Sequence, residues 1–463
     1  MMRHSSKNVK KASHSSIEEA RVFSYDEAER NLKKRADHMS LFDLKGQRTT
    51  VRQEVMAGIV SFVTASYLLV VNPLILGEAG IPPELSVFST IFITVIGCMF
   101  SAFWADSPLV LAPGMGENTF FTYTMVFALG FTWKESLAAV LLSGVLFMLF
   151  TFTGVTGIFA KSIPRTLKKA ITAGIGLFLV LIGLQNSGLI VNEKGTGKLT
   201  LGNMKDPMTI LALLTLLLTA VLVMRKVKGS FLIGILTMTV LSLVTGIHKP
   251  VPTSFSVENL SRFPSLVGAF DFGGVTRLKF LLTVLSLTML IVFETIGMAE
   301  GLLDDPARSP KIYRATSVTA ALSGILGTSP VVPLAESAAG IKAGGRTGLT
   351  SFTVGLLFLL SFFLTPLLAY IPEEALGPIL VITGSAMMEN LKDIPFDDFS
   401  EWFPAFLVIC IMPFTGSVIN GMAFGFISYV ILKGLNGEKD QLNAPLLLVA
   451  VLFLLTIFST AVL

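Results

Sequence analysis

Ser107-Pro108-Leu109-Val110-Leu111-Ala112-Pro113-Gly114-Met115-Gly116-Glu117-Asn118 and Thr328-Ser329-Pro330-Val331-Val332-Pro333-Leu334-Ala335-Glu336-Ser337-Ala338-Ala339-Gly340 are the two stretches whose reading decides the fold. Both interrupt strongly apolar sequence where an unbroken membrane helix would be expected. Each carries two prolines, then small residues and glycine, and each holds a carboxylate. Proline removes a backbone donor and blocks helix continuation, while glycine admits backbone angles closed to other residues. Within the hydrocarbon, irregular backbone survives only where it is buried in protein or lines a cavity. A pair of Gly/Pro-interrupted segments at matching places in two halves points to a transporter's binding site near the midplane.

The rest of the chain fits a bilayer. Its 463 residues are 52% hydrophobic and 14% charged, with a mean hydropathy of +0.74. A soluble domain carries about 25% charged residues, so most of this surface cannot face water. Cys98 and Cys410 lie far apart in apolar segments, and four histidines are scattered, so neither a disulfide framework nor a metal site is expected. No cofactor and no nucleic-acid partner is expected either. Residues 1–53 hold 12 Lys and Arg against 7 Asp and Glu and lack the apolar core of a signal peptide. They read as a cytoplasmic tail with a mixed-charge helix around Ser16–His38, which either rests on the membrane or a partner or stays solvated.

Spans of about 20 apolar residues fall at 54–76, 84–104, 107–130 (broken), 135–154, 164–186, 207–224 and 230–247. A polar connection, 248–276, follows. The second half reads 278–303, 313–327, 329–343 (broken), 348–370, 374–389, 402–415 and 418–433, and an apolar segment, Ala444–Leu463, makes a fifteenth. The fold class is therefore an all-α polytopic membrane protein, a tail (1–53) followed by a transmembrane transporter domain (54–463). Its repeats cover about 54–247 and 277–463. Lys161, Arg165, Lys168, Lys169, Arg225, Lys226, Lys228, Arg308, Lys311, Arg314, Lys342, Arg346 and Lys392 fall in loops on the tail's side, which the positive-inside rule makes cytoplasmic. The loops around Lys194–Lys205 and His248–Arg262 are mild exceptions. Seven spans per half put the halves in opposite orientation, as an inverted repeat demands, and the third span of each half is the broken one.

Four motifs carry a resemblance. They are Ala57-Gly58-Ile59-Val60-Ser61-Phe62-Val63-Thr64-Ala65-Ser66-Tyr67 with Val71-Asn72-Pro73, Ala112 to Asn118, Phe293-Glu294-Thr295-Ile296-Gly297, and Glu336-Ser337-Ala338-Ala339-Gly340 running on to Ala343-Gly344-Gly345-Arg346-Thr347-Gly348-Leu349-Thr350-Ser351. In this order they resemble the AzgA-like branch of the nucleobase–cation symporters, the guanine/hypoxanthine permeases, over residues 41–463. The resemblance implies fourteen spans in a seven-plus-seven inverted repeat. A core domain would hold spans one to four and eight to eleven, and a gate domain the rest. The third and tenth spans would each supply a short strand, with substrate between them. It places substrate recognition on Glu294, Glu336 and Asn118. One departure is Ile291, where many such proteins carry a second acid one turn before the eighth-span acid.

The same residues can be read chemically. Glu294 lies deep in an apolar span, where a carboxyl costs about 3 kcal/mol; it either braces a helix or serves a cavity, a substrate or a proton. Glu336 sits where helix resumes after Pro333, either as a cap or with free backbone N–H groups beside it aimed at a ligand. Asn118 can donate and accept, for a ligand or for its own turn. Glu117 is as readily a gate or interface residue as a ligand. Phe120 and Phe121 are either a stacking surface or ordinary packing. A purine edge sets N–H donors beside carbonyl acceptors, which suits carboxylates with an amide.

The expected function is uptake of guanine or hypoxanthine in symport with protons, with Glu294 as the proton carrier, in the cell membrane and as a homodimer. Xanthine, uracil, adenine or an anion on the same fold, and a membrane sensor or scaffold, stand as alternatives. No nucleophile–base pair, phosphate-cradling loop or metal spacing suggests an enzyme, since Gly114-Met115-Gly116 is too short for a nucleotide fingerprint.

Overall fold

The computed structural model describes residues 42–193, 198–248, 257–303 and 305–462. The helix expected at Ser16–His38, with most of the tail, lies outside the described residues. The first half runs α1 (Val51–Ala65), α2 (Leu68–Glu78), α3 (Pro83–Phe103), strand β1 (Leu111–Pro113), α4 (Met115–Thr119), α5 (Trp133–Phe152), α6 (Val155–Ser162), α7 (Arg165–Asn186), the hairpin β2 (Ile190–Asn192) and β3 (Leu199–Leu201), α8 (Pro207–Met224) and α9 (Ser230–Val244). The second runs α10 (Leu278–Leu302), α11 (Ser309–Leu326), β4 (Val331–Pro333), α12 (Ser337–Lys342), α13 (Gly348–Leu360), α14 (Leu376–Met387), α15 (Phe399–Thr415), α16 (Val418–Leu435) and α17 (Ala444–Val462). Among the described residues, 8 helical runs are long and apolar enough to cross a membrane, with shorter apolar helices beside them. The chain is an all-helical multi-pass membrane protein.

Three spans differ from their sequence reading. The first, expected unbroken, is two helices with a turn at Ser66–Tyr67, where Leu69 and Val70 bond back three residues to the Ser66 and Tyr67 carbonyls. After α4 the chain winds as a π-helix over Phe120–Ala128. After α13 it tightens to a 3₁₀-helix over Ser361–Tyr370, which holds Pro366. The segment Ala444–Val462 is helical and packs on α16 and α10.

With lipid as apolar as leucine, membrane helices associate by close packing of small residues and by hydrogen bonds. The seam between α7 and α14 shows this. A Cβ on Gly183 would lie 2.6 Å from the Gly377 carbonyl oxygen, and one on Gly384 would lie 2.3 Å from that of Gly176. Two glycines seven residues apart on each helix therefore bring the backbones together. Elsewhere hydroxyls cross between helices: Ser143 Oγ donates to the Val284 carbonyl at 3.0 Å and Ser351 Oγ to that of Cys98 at 3.0 Å.

The run Gly344 to Thr350 is a structural clamp. Buried Glu54 accepts from the amides of Arg346 (2.9 Å) and Thr347 (3.2 Å) and from Thr350 Oγ1 (2.6 Å). Asp106 accepts from the Gly348 amide at 2.7 Å, and Arg308 Nη1 donates to the carbonyls of Asp106 and Arg346, both at 2.8 Å. Gly344 has φ +105, and a Cβ on Gly348 would lie 2.3 Å from the Ala102 carbonyl oxygen. Side chains are excluded at both.

Gly183→Leu should cost about 3 kcal/mol, since backbone carbonyl cannot yield to the added side chain. Thermal unfolding of the detergent-purified protein reads this out, with Gly183→Ala intermediate. An unchanged melting temperature would mean the seam is loose.

Candidate functional site

The two Pro-rich stretches meet as an antiparallel ladder with Leu111 opposite Pro333, Ala112 opposite Val332 and Pro113 opposite Val331. The Gly114 amide donates to the Pro330 carbonyl at 3.3 Å, and the Leu334 amide to that of Val110 at 2.9 Å. In an antiparallel ladder hydrogen-bonded and non-bonded pairs alternate. Pro113 and Pro333 therefore occupy non-bonded pairs, where a missing N–H costs the ladder nothing. Amides the ladder leaves over find hydroxyls: the Val110 amide donates to Ser337 Oγ at 2.9 Å and the Val331 amide to Ser323 Oγ at 3.2 Å.

The antiparallel ladder leads into α4 at one end and towards α12 at the other, and α10 touches both helices. Glu294 comes from α10. Its Oε2 would sit 3.1 Å from a Cβ on Gly116, so that glycine gives it room. Its carboxyl meets that of Glu117 and lies in the field of Glu336. Three carboxyls thus converge from three elements. Glu117 is wholly buried, whereas Glu294 and Glu336 keep part of their surface open. Beside them, Gly297, Gly301 and Ala335 are exposed, and nothing lies within 4 Å of where a Cβ would stand on either glycine. Because α10 is otherwise largely buried and Gly297 stands one turn from Glu294, we take that space for a crevice beside the carboxyls rather than a lipid face.

Glu336 makes no side-chain cap on α12; its Oε1 accepts from Tyr67 Oη at 2.6 Å. The free N–H groups expected beside it are taken. The amides of Ser337, Ala338 and Ala339 bond back to the carbonyls of Leu334, Ala335 and Glu336, because the turn tightens before this short helix. Asn118 is buried, with Oδ1 accepting from Ser329 Oγ across the ladder. Ser329 also reaches Asn72 Oδ1 at 3.5 Å, while Asn72 Nδ2 donates to Thr90 (2.7 Å) and Thr328 (3.2 Å). Asn118 is thereby tied to the second stretch. Phe120 and Phe121 are wholly buried in the main core, as is Ile291.

Tyr67 and Asn72 were not singled out from the sequence. The available signal was a phenol and an amide in apolar spans, each needing a partner. Glu117 carries the same signal, and its place beside Glu294 follows from pairing between residues more than 200 apart.

The Permease family profile matches residues 52–424. The nucleobase transporter PlAzg2 of Paenibacillus larvae is 40% identical over 82% of this chain and 77% of its own. The guanine/hypoxanthine permease PbuO of Bacillus subtilis is 35% identical over 90% and 100%, and the adenine permease AdeQ of Escherichia coli is 34% identical over 90% and 95%. Among solved structures, the transmembrane domain of a cyanobacterial bicarbonate transporter, BicA, shares the fold at a TM-score of 0.63 and 16% identity, covering 80% of this chain and 96% of that one. The chain belongs to the Permease family, among its AzgA-like nucleobase permeases, and is a membrane transporter rather than an enzyme.

Tyr67→Phe removes the donor to Glu336 and leaves its carboxyl in place. A hydrogen bond to a charged group contributes about 1.5–3 kcal/mol, so apparent substrate affinity should fall about tenfold or more with folding intact. Transport titrations against concentration check this; unchanged affinity would separate Tyr67 from the site.

Proposed function

We propose that this permease takes up guanine and hypoxanthine by secondary active transport in symport with protons. The observation that carries the reading is that Glu294 meets Glu117 and lies in the field of Glu336, beside the paired broken segments and the exposed Gly297 and Gly301. In this reading Glu294 and Glu336 hold the N–H donors of the purine edge, Asn118 meets a carbonyl, and Phe120 and Phe121 stand behind the ring. Analogues without matching groups leave buried polar atoms unpaired, which is how such a site discriminates. Relatives named for guanine/hypoxanthine and for adenine stand at nearly equal identity, so the edge chemistry carries the choice. Adjacent N–H donors suit carboxylates. The carboxyls also oppose an anionic substrate, although the fold is shared with a bicarbonate transporter.

The architecture in this reading is fourteen spans in a seven-plus-seven inverted repeat, with a cytoplasmic N-terminus and a homodimeric assembly in the cell membrane. Its support is the correspondence of the two strands, one from each broken segment, and the facing of α7 with α14, the fifth and twelfth spans of that count. In this reading spans one to four and eight to eleven form a core and the rest a gate.

Glu294 is the proton carrier in this scheme, ionisable within the membrane and open to the crevice. Glu336→Gln sets an amide donor against the base's N–H and should abolish purine uptake while the protein stays in the membrane. Glu294→Gln should make uptake insensitive to an imposed pH gradient. Both are measured with radiolabelled hypoxanthine in proteoliposomes, with guanine, adenine, xanthine and uracil as competitors. Near-normal uptake by Glu336→Gln would misplace the site, and retained pH-gradient dependence in Glu294→Gln would remove the coupling role.

A further inference from the structure

Glu117 is fully buried, and among the described residues its carboxyl has no hydrogen-bond donor from any other residue, only its own backbone N–H lying near. A carboxylate stranded in this way at membrane depth is strongly disfavoured. What its carboxyl meets is another carboxyl, that of Glu294. Two carboxyls in contact hydrogen-bond only with a proton between them, because like charges so close cannot both ionise.

The local backbone is shaped for this meeting. The Glu117 side chain turns back over Gly114, where a Cβ would lie 2.0 Å from its Oε2, and Gly116 leaves the space that Glu294 Oε2 occupies. From α12 the carboxyl of Glu336 acts on Glu294, itself held by Tyr67. From α7, Ile175 packs at Gly116, while Lys168 interacts with Glu300 further along α10. Among the described residues, the charged groups that act on the pair are thus carboxyls.

We propose that Glu117 and Glu294 hold one proton between them, and that this pair, rather than Glu294 by itself, is the site that loads and releases the coupling proton. The proposal rests on the proton-symport reading above and sharpens it. Glu294 is the half-open member and faces the crevice, so the proton enters and leaves through it. Glu117 is the closed member and keeps the proton when Glu294 turns to a base N–H. On release the proton passes to crevice water, and the pair is left with two negative charges that drive its members apart until it reloads.

The test uses the full chain in proteoliposomes. For wild type, E117Q, E294Q and the double variant, two quantities are compared: hypoxanthine accumulation under an imposed pH gradient, and counterflow exchange. The ratio of accumulation to exchange should fall at least about tenfold in E117Q and in E294Q, with the double variant no lower, as expected of residues acting as one unit. E117D, which keeps an acid there, should retain coupling and guards against misreading a folding defect. A wild-type ratio in E117Q, or accumulation driven by a sodium gradient instead, would overturn the proposal. If wild type fails to exchange purines, the substrate reading falls, and the pair is still tested without substrate by infrared spectroscopy. The carbonyl band of a strongly hydrogen-bonded protonated carboxyl should be present in wild type and E336Q and altered in E117Q and E294Q. An unchanged band in E117Q would overturn the pair.

Discussion

Everything about this site depends on three residue pairs of antiparallel strand buried among helices. A backbone leaving helical geometry at membrane depth exposes donors and acceptors that lipid cannot satisfy. Here each broken segment satisfies the other: Leu111–Pro113 and Val331–Pro333 pair, and Gly114 and Leu334 extend the ladder at its ends. The prolines that forbid helix are the residues that a short ladder tolerates at its non-bonded positions. Serine hydroxyls from α11 and α12 take the groups the ladder leaves over. Neither segment could be satisfied in this way without the other, so the two halves of the chain are bound to meet here.

From that constraint the carboxyls follow. Once β1 and β4 are in register, the chain leaves the ladder at its two opposite ends and turns into a short helix at each, and Glu117 and Glu336 ride on those starts. Glu294 then needs only a straight α10 crossing them. The three acids are not equivalent, however. Glu336 is fixed by a phenol, Glu294 is half-open, and Glu117 is closed in against it. A fixed acceptor suits recognition of a substrate edge, whereas an unfixed acid next to another acid suits a change of charge. The two tasks of a coupled carrier can therefore fall on different neighbours in one site.

Much of this was legible in the sequence, because proline and glycine within apolar sequence have few physical outcomes. The broken segments at 107–130 and 329–343, the boundaries of α3, α5, α7, α8 and α10, and the depth of Glu294 came from composition and punctuation alone. What was not legible depended on tertiary contact. The break at Ser66–Tyr67 has no proline at its own position, Pro73 lying six residues on. The partner of Glu336 comes from the turn between α1 and α2, 269 residues away. Free N–H groups beside Glu336 were a fair expectation for a helix start, but the turn before α12 uses them internally. The long Gly-Gly-Arg-Thr-Gly-Leu-Thr-Ser run, the most distinctive motif, serves Glu54 and Asp106 rather than the crevice, which shows that distinctiveness in a motif can reflect backbone packing.

The open crevice has a closed counterpart. At the end of α10 near Lys279, away from Gly301, Glu78 accepts from Tyr123 Oη at 3.0 Å and from Asn186 Nδ2 at 3.2 Å. These bonds tie the first-half segments around the ladder to α7. Nearby, the Val418 amide at the start of α16 donates to Thr124 Oγ1 at 3.2 Å, and Phe178 of α7 meets Tyr123 edge-on at 6.0 Å. The carboxyls are thus approached beside Gly297, Gly301 and Ala335 and shut off towards Glu78. A carrier must never open both ends at once, and access must alternate about a fixed site. The bonds described at this end are polar side-chain bonds and partly exposed. The glycine seam between α7 and α14, by contrast, is backbone against backbone. Any movement that opens the Glu78 end is therefore expected to carry α7 and α14 together, sliding past the ladder rather than coming apart from each other.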